Sequence, residues 1–248
     1  MNASTRRLCA GLLALSLSLP LLGCGADTQY MTPERMENGL VVVLPGIEGR
    51  SVANENIRDG ILATGTDRAI TIYSWGRPVP GVGMLLNQMD AVGNRVAGRN
   101  LAQYIGNYLS EYPGRPVHIV GHSGGGGVAV FAAEEMPTGR QVNGLVLLSA
   151  SISANYDLSR ALGNCSAGIV NFYNPDDTAL LGVGTAIAGN VDGGHGASAG
   201  QAGFTRNYPR LYSRAVSGYG DPHFAATRVG FVRREVAPWA LSRTYPPR

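Results

Sequence analysis

Charge, cysteine and histidine are all scarce in this chain, and each scarcity removes a class of protein. Only 15% of the 248 residues are charged and the formal net charge is +3. No basic cluster lies beyond the two ends, so nucleic acid is excluded as a partner. Three cysteines, Cys9, Cys24 and Cys165, are too few for a disulfide framework. Of the four histidines, His118 and His122 are four apart, yet they leave an apolar run for a glycine-rich turn. No helical H-E-x-x-H accompanies them, so they are not a zinc pair. No metal or organic cofactor is implied. Aromatics are few at 7% and glycines many at 35, while 44% of residues are hydrophobic, enough for one domain with a sizeable core.

The first residues are not part of that domain. Arg6 and Arg7 precede an apolar run from Leu8 to Leu22, followed by Gly23 and Cys24. The run has the length of a signal-peptide core and falls short of the roughly 20 residues of a membrane span. "LLGC" resembles the lipobox of bacterial lipoproteins. That resemblance implies removal of residues 1–23, thioether lipidation of Cys24 and a lipid-anchored protein of the bacterial cell envelope. A thiolate is the nucleophile that takes the lipid. Cys165 would then be the one free thiol of the mature chain. Residues 24–37 are polar and read as a tether or a loose first strand, leaving 38–248 as the domain.

Along the domain, apolar runs alternate with amphipathic stretches. Gly39–Gly49, Ala69–Trp75, Pro116–Val120, Gly144–Ser151, Gly168–Asn174 and Leu211–Gly218 read as strands. Ser51–Leu62, Asn94–Ser110, Gly126–Met136 and Phe224–Leu241 read as helices. "GRPVPGVGMLL" carries two prolines and reads as a loop. Residues 182–204, rich in Gly and Ala, read as a loop excursion. The alternation predicts an α/β fold with a mostly parallel sheet covered on both faces.

One hydroxyl stands out. "VHIVGHSGGGG" places Ser123 between an apolar strand and four consecutive glycines, although glycine weakens a helix start. Gly121-His122-Ser123-Gly124-Gly125 fits the G-x-S-x-G nucleophile elbow, a sharp strand-to-helix turn. Gly121 and Gly125 are needed because their neighbours approach too closely for a side chain. Gly124 would offer its N–H to an oxyanion at the positive end of the helix.

With this motif in this context, nearly the whole chain from Gly39 to Leu241 resembles the α/β-hydrolase superfamily. The resemblance implies a triad in the order Ser, acid, His. The acid belongs after the fifth strand, where "NPDD" offers Asp177 or, alternatively, Asp176. The base belongs after the last strand, where His223 stands; His195, in the glycine-rich excursion, is the rival. A second oxyanion donor would come from "LPGIEG", where Ile47 offers the N–H after Gly46. Between the fourth and fifth strands, residues 155–167 leave room for one short helix and no large cap. The site is then open from above unless the glycine-rich excursion folds over it. The implied activity is cleavage of a carboxylic ester or thioester through an acyl-enzyme, with a small ester or a lipid as substrate and the membrane as partner through the anchor. An acyltransferase on the same triad and a non-catalytic binding protein on this fold remain open.

Overall fold

Leu40–Leu44 are five consecutive apolar residues, all fully buried, and form strand β1. A run apolar on both faces suits a central parallel strand. The computed structural model describes residues 27–76, 82–178, 189–218 and 220–248. The further strands are β2 (Ala69–Ile72), β3 (Val117–His122), β4 (Val142–Leu148), β5 (Cys165–Tyr173) and β6 (Leu211–Ala215). They form one sheet in the order β2-β1-β3-β4-β5-β6, with every neighbouring pair parallel.

The helices are α1 (Pro33–Met36), α2 (Val52–Leu62), α3 (Val82–Met89), α4 (Ala91–Glu111), α5 (Gly124–Glu134), α6 (Ser159–Gly163) and α7 (Ala199–Ala202). Val229–Phe231, Val232–Val236 and Ala237–Leu241 follow without a break as α8, the middle five residues being a π turn. The period-2 alternation of β1 sends Leu40, Val42 and Leu44 into one core layer with Leu101 and Ile105 of α4 and Phe131 of α5. Val41 and Val43 enter the opposite layer with Ile57 and Ile61 of α2 and Val232 and Val236 of α8.

Helix α5 begins at Gly124, so all four glycines lie inside it rather than two before it. Four glycines cost it about 0.8–1.0 kcal/mol each relative to alanine. Every residue of α5 is buried, and full burial of Val128, Val130 and Phe131 contributes about 1.5–3 kcal/mol apiece. Packing therefore overrides propensity here.

Two expectations need correction. The proline-bearing stretch read as a loop contains helix α3 from Val82 onward, and α4 starts three residues before Asn94, capped by the Asp90 carboxylate on the Gly93 N–H at 2.8 Å. The second concerns the polar tether. Its residues 27–37 are packed on the domain: Met31 and Met36 contact the core, and Tyr108 donates to the Met36 carbonyl at 2.6 Å. Asp27 is buried and accepts from the Ile72 N–H at 2.9 Å, from Arg50 at 3.0 Å and from Arg58 at 2.8 Å. Burial works against its ionisation, but these donors outweigh it and hold the carboxyl below its ordinary range. Residues 1–26, including Cys24, lie outside the described residues.

His118 is enclosed within the sheet layer. Its Nε2–H donates to the Ser242 carbonyl at 2.7 Å, and Arg68 donates to Nδ1 at 3.3 Å. Burial, with the Arg68 charge second, pushes its pKa down from 6.5 to about 3. The unfolded chain therefore binds a proton near pH 6.5 that the folded chain refuses. This contribution to stability is complete above pH 6.5 and is lost as pH falls towards 3. Urea midpoints should fall as pH drops below 6.5, and the fall should be shallower in His118→Gln. Equal slopes in the two proteins would contradict the assignment.

Candidate active site

The order β2-β1-β3 makes β1 and β3 neighbours whose following segments diverge, and such a switch opens a crevice at the carboxyl ends of the strands. Ser123 follows β3 there with φ 52° and ψ −123°, a left-handed backbone rarely adopted by a residue bearing a Cβ. Strain of this kind costs on the order of 1–3 kcal/mol and persists only where surrounding structure enforces it. The enforcement is visible. The Ser123 N–H donates to the Leu148 carbonyl at 2.9 Å, and the Ser123 carbonyl accepts from the N–H groups of Gly126 and Ser151, each at 2.9 Å.

The glycines follow from the same close approach. A methyl group at Gly121 would lie 2.5 Å from the Gly125 carbonyl oxygen, and one at Gly125 would run into the carbonyls of Pro45 and Leu44. Those at Gly126 and Gly127 would meet Ala150 and Val191. Val191 belongs to the glycine-rich excursion, and its N–H donates to the Ser151 carbonyl at 3.1 Å. The excursion thus folds onto the start of α5; its residues 182–188 lie outside the described residues.

Asp177 and His223 meet beside the elbow. His223 Nδ1 donates to Asp177 Oδ2 at 2.8 Å, and both side chains are largely buried. Asp176, the alternative acid, is exposed. Asn174 builds the turn that separates them: its carbonyl accepts from the Asp177 N–H at 2.9 Å and its side-chain oxygen from the Asp176 N–H at 3.0 Å. Asn174 Nδ2 also donates to the Pro222 carbonyl at 3.3 Å, tying the acid turn to the histidine loop. His195 is exposed and makes no hydrogen bond among the described residues. The Ser123 hydroxyl and His223 Nε2 share no hydrogen bond in this structure.

His122 contributes more than the packing expected of it. It is fully buried, and its Nε2–H donates to the His223 carbonyl at 3.2 Å. Its ring lies 5.0 Å from that of His223 and 5.3 Å from that of Phe224. Burial, with the neighbouring His223 second, pushes its pKa down to about 3, so it stays neutral. Sequence alone gave no signal for this bond, because the partner is a main-chain carbonyl 101 residues away.

The loop after β1 lies against the elbow. Ile47 Cγ2 stands 2.8 Å from the position a Gly124 Cβ would take. Trp75 Nε1 donates to the Pro45 carbonyl at 2.7 Å and Asn87 Nδ2 to the Ile47 carbonyl at 3.1 Å. The Ile47 N–H itself has no acceptor among the described residues. Gly124 opens α5, so its own N–H has no acceptor within the helix. Among the described residues no group of His, Cys, Asp and Glu side chains is arranged to hold a metal.

No protein-family model matches the chain. Monoglyceride lipase from Rattus norvegicus is 36% identical over 78 residues, 32% of this chain and 25% of that protein. The Homo sapiens monoglyceride lipase is 28% identical over 138 residues, 46% of this chain and 45% of that one. The matches thus span from a quarter to just under half of those relatives' length. Among solved structures, Aspergillus fumigatus lipase B superposes with a TM-score of 0.52 at 13% identity, covering 87% of this chain and 55% of that one. The fold is that of the α/β-hydrolases.

In this α/β-hydrolase fold the connection between β4 and β5 carries the short α6 alone, as residues 155–167 allow. The elbow's dependence on bare backbone yields a direct prediction. Gly125→Ala forces a methyl group into two main-chain carbonyls that no side-chain movement relieves, so it should fall in the large-loss tail of single substitutions, above about 4 kcal/mol. Gly139, with no atom within reach of an added Cβ, is the control; its φ of 77° makes Gly139→Asn a milder change than Gly139→Val. Thermal melts of Gly125→Ala and Gly139→Asn test this, and equal melting temperatures would contradict it.

Proposed function

We propose that this chain is a serine hydrolase that cleaves a carboxylic ester or thioester through an acyl-enzyme. The observation that carries the reading is the 2.8 Å bond from His223 Nδ1 to Asp177 Oδ2, beside a serine held in a left-handed turn. With Nδ1 committed as a donor, Nε2 is left as the acceptor. Ser123 Oγ attacks the carbonyl carbon while His223 Nε2 takes its proton, and the charge forming on the carbonyl oxygen meets the N–H groups of Gly124 and Ile47. His223 then gives the proton to the departing alcohol or thiol. Water, deprotonated by the same nitrogen, releases the acid and restores Ser123. Asp177 fixes the tautomer and stabilises the imidazolium. Hydrogen bonds between nucleophile and base are often long or unformed without substrate and tighten once it is bound.

His122 and Asn174 act as positioning residues, since each holds a main-chain carbonyl of the histidine loop. The similarity to monoglyceride lipases supports an ester substrate with a lipid character. Cys24 is read as the lipidated first residue of the mature chain, anchored in a bacterial cell envelope. No helix among the described residues is long and apolar enough to cross a membrane.

A fluorophosphonate should label the folded protein at Ser123, and Ser123→Ala should abolish both labelling and turnover of p-nitrophenyl esters. Asp177→Asn should lose up to ~10⁴-fold in kcat, because an amide cannot stabilise the imidazolium, while Asp176→Asn stays near the parent. His195→Ala should alter substrate preference at most. Severe loss in His195→Ala beside an active His223→Ala would overturn the assignment. Product analysis with added alcohols distinguishes hydrolysis from acyl transfer.

A further inference from the structure

In the last turn of helix α3 the usual polarity is reversed. Leu86 and Met89 face solvent, 40% and 54% exposed, while Asn87 and Gln88 are buried at 6% and 1%. Burying an amide costs free energy unless its hydrogen bonds are made, so these amides fasten the turn through particular partners. Asn87 Nδ2 donates to the Ile47 carbonyl at 3.1 Å. Gln88 Nε2 donates to Ser151 Oγ at 2.8 Å and to the Gly189 carbonyl at 2.6 Å. The Ser151 N–H in turn donates to the Ser123 carbonyl. Asn94 of α4, also buried, donates to the Asn87 carbonyl at 2.9 Å and to the Val191 carbonyl at 3.1 Å. The end of α3 thus grips the β1 loop on one side and, through Ser151, the elbow on the other.

The grip on the β1 loop falls on both sides of the Ile47 N–H. That N–H shares a peptide plane with the Gly46 carbonyl. The Gly46 carbonyl accepts from the Gly49 N–H at 3.1 Å, which closes a β-turn with Ile47 and Glu48 at its centre. Type I and type II turns differ by a rotation of the central peptide plane, here that of the Ile47 carbonyl and the Glu48 N–H. Asn87 holds this plane by its carbonyl. The plane before the turn is held at the Pro45 carbonyl by Trp75 Nε1, at 2.7 Å. Each peptide plane from Pro45 to Glu48 therefore has its carbonyl bonded, and the two outer donors are side chains. A Cβ on Gly76 would lie 2.5 Å from Asn87 Nδ2, so the residue after Trp75 is bare where Asn87 passes.

We propose that Asn87 and Trp75 are positioning residues of the oxyanion hole. By clamping the peptide planes on either side, they keep the Ile47 N–H aimed at the oxygen of the reacting carbonyl. The proposal rests on the serine-hydrolase reading and gives α3 a part in that reaction. An oxyanion donor works by being in place before the charge develops, and a misplacement of about 1 Å costs on the order of 10²-fold in rate.

The test is a double-substitution cycle on the full chain with a soluble p-nitrophenyl ester, each variant first shown to be folded by circular dichroism. Ile47→Pro deletes the N–H itself, at a turn position that favours proline, and should lower kcat about 10²–10³-fold. Asn87→Ala, and Trp75→Phe, which keeps a ring but loses the donor, should each lower kcat about 10–10²-fold with KM near the parent's. Should Asn87→Ala fail to fold, Trp75→Phe carries the same cycle. In the Ile47→Pro background either change should add no more than about twofold, because the donor it positions is already gone. An aryl trifluoromethyl ketone gives a second readout that needs no change at Ile47. Ser123 Oγ adds to its carbonyl carbon, the serine proton passes to His223, and the carbonyl oxygen becomes the oxyanion. Its inhibition constant should rise in step with the loss in kcat/KM. Parent-level kcat in the folded single variants overturns the proposal. Losses that multiply with that of Ile47→Pro, or an inhibition constant that stays put while kcat falls, mark a merely structural role and overturn it too. Full turnover in Ile47→Pro removes Ile47 as the donor, and the proposal with it, while the reading of Ser123 stands. Fluorophosphonate labelling of the parent reports on that reading separately; neither label nor turnover would overturn both.

Discussion

The left-handed turn at Ser123 is the constraint from which the rest of the site follows. It aims one hydroxyl out of the end of β3, and it requires main chain to pass where side chains would normally stand. Gly121 and Gly125 satisfy that requirement against each other and against the β1 loop. The hydrogen bonds to the Leu148 carbonyl and from the Ser151 N–H fasten the turn to the end of β4. The strain is thus carried by the two central strands, the most buried part of the molecule, and not by a mobile surface loop.

From that turn outward, each chemical group is held by a neighbour of a different element. The His223 ring is oriented by Asp177 and its main chain by His122, while Asn174 ties the acid turn to Pro222. The Ile47 and Pro45 carbonyls are held by Asn87 and Trp75, and the Ile47 N–H has no acceptor among the described residues. The glycine-rich excursion packs Val191 over the start of α5. Asp27 fastens the beginning of the domain to the same edge of the sheet. These devices pre-organise polar groups in a buried setting, where their fields act more strongly than in water.

Much of this was legible in the sequence, for reasons that differ by element. Buried parallel strands announce themselves as unbroken apolar runs, and all six emerged near their true positions. The glycine spacing around Ser123 carried the elbow, because close backbone approach leaves a mark on residue type. The NPDD turn and the single histidine after the last strand pointed to a pair that the fold brings to 2.8 Å. Other features left no local mark. Helix α3 was hidden behind prolines that precede it. The packing of residues 27–37 was masked by their polarity: Asp27 looks like solvent-facing chain until Arg50, Arg58 and the Ile72 N–H, up to 45 residues away, are brought to it. The bond from His122 to the His223 carbonyl is a contact between side chain and distant backbone, which residue identity does not encode.

The central claim is that Ser123 takes up the acyl group. Rapid acid quenching of the protein during turnover of a p-nitrophenyl ester, followed by peptide mass spectrometry, tests it directly. The account predicts an acyl adduct on the peptide containing Ser123, lost in Ser123→Ala and accumulating in a burst when deacylation is slow. Turnover with no adduct at Ser123, or with the acyl group on another residue, would contradict it.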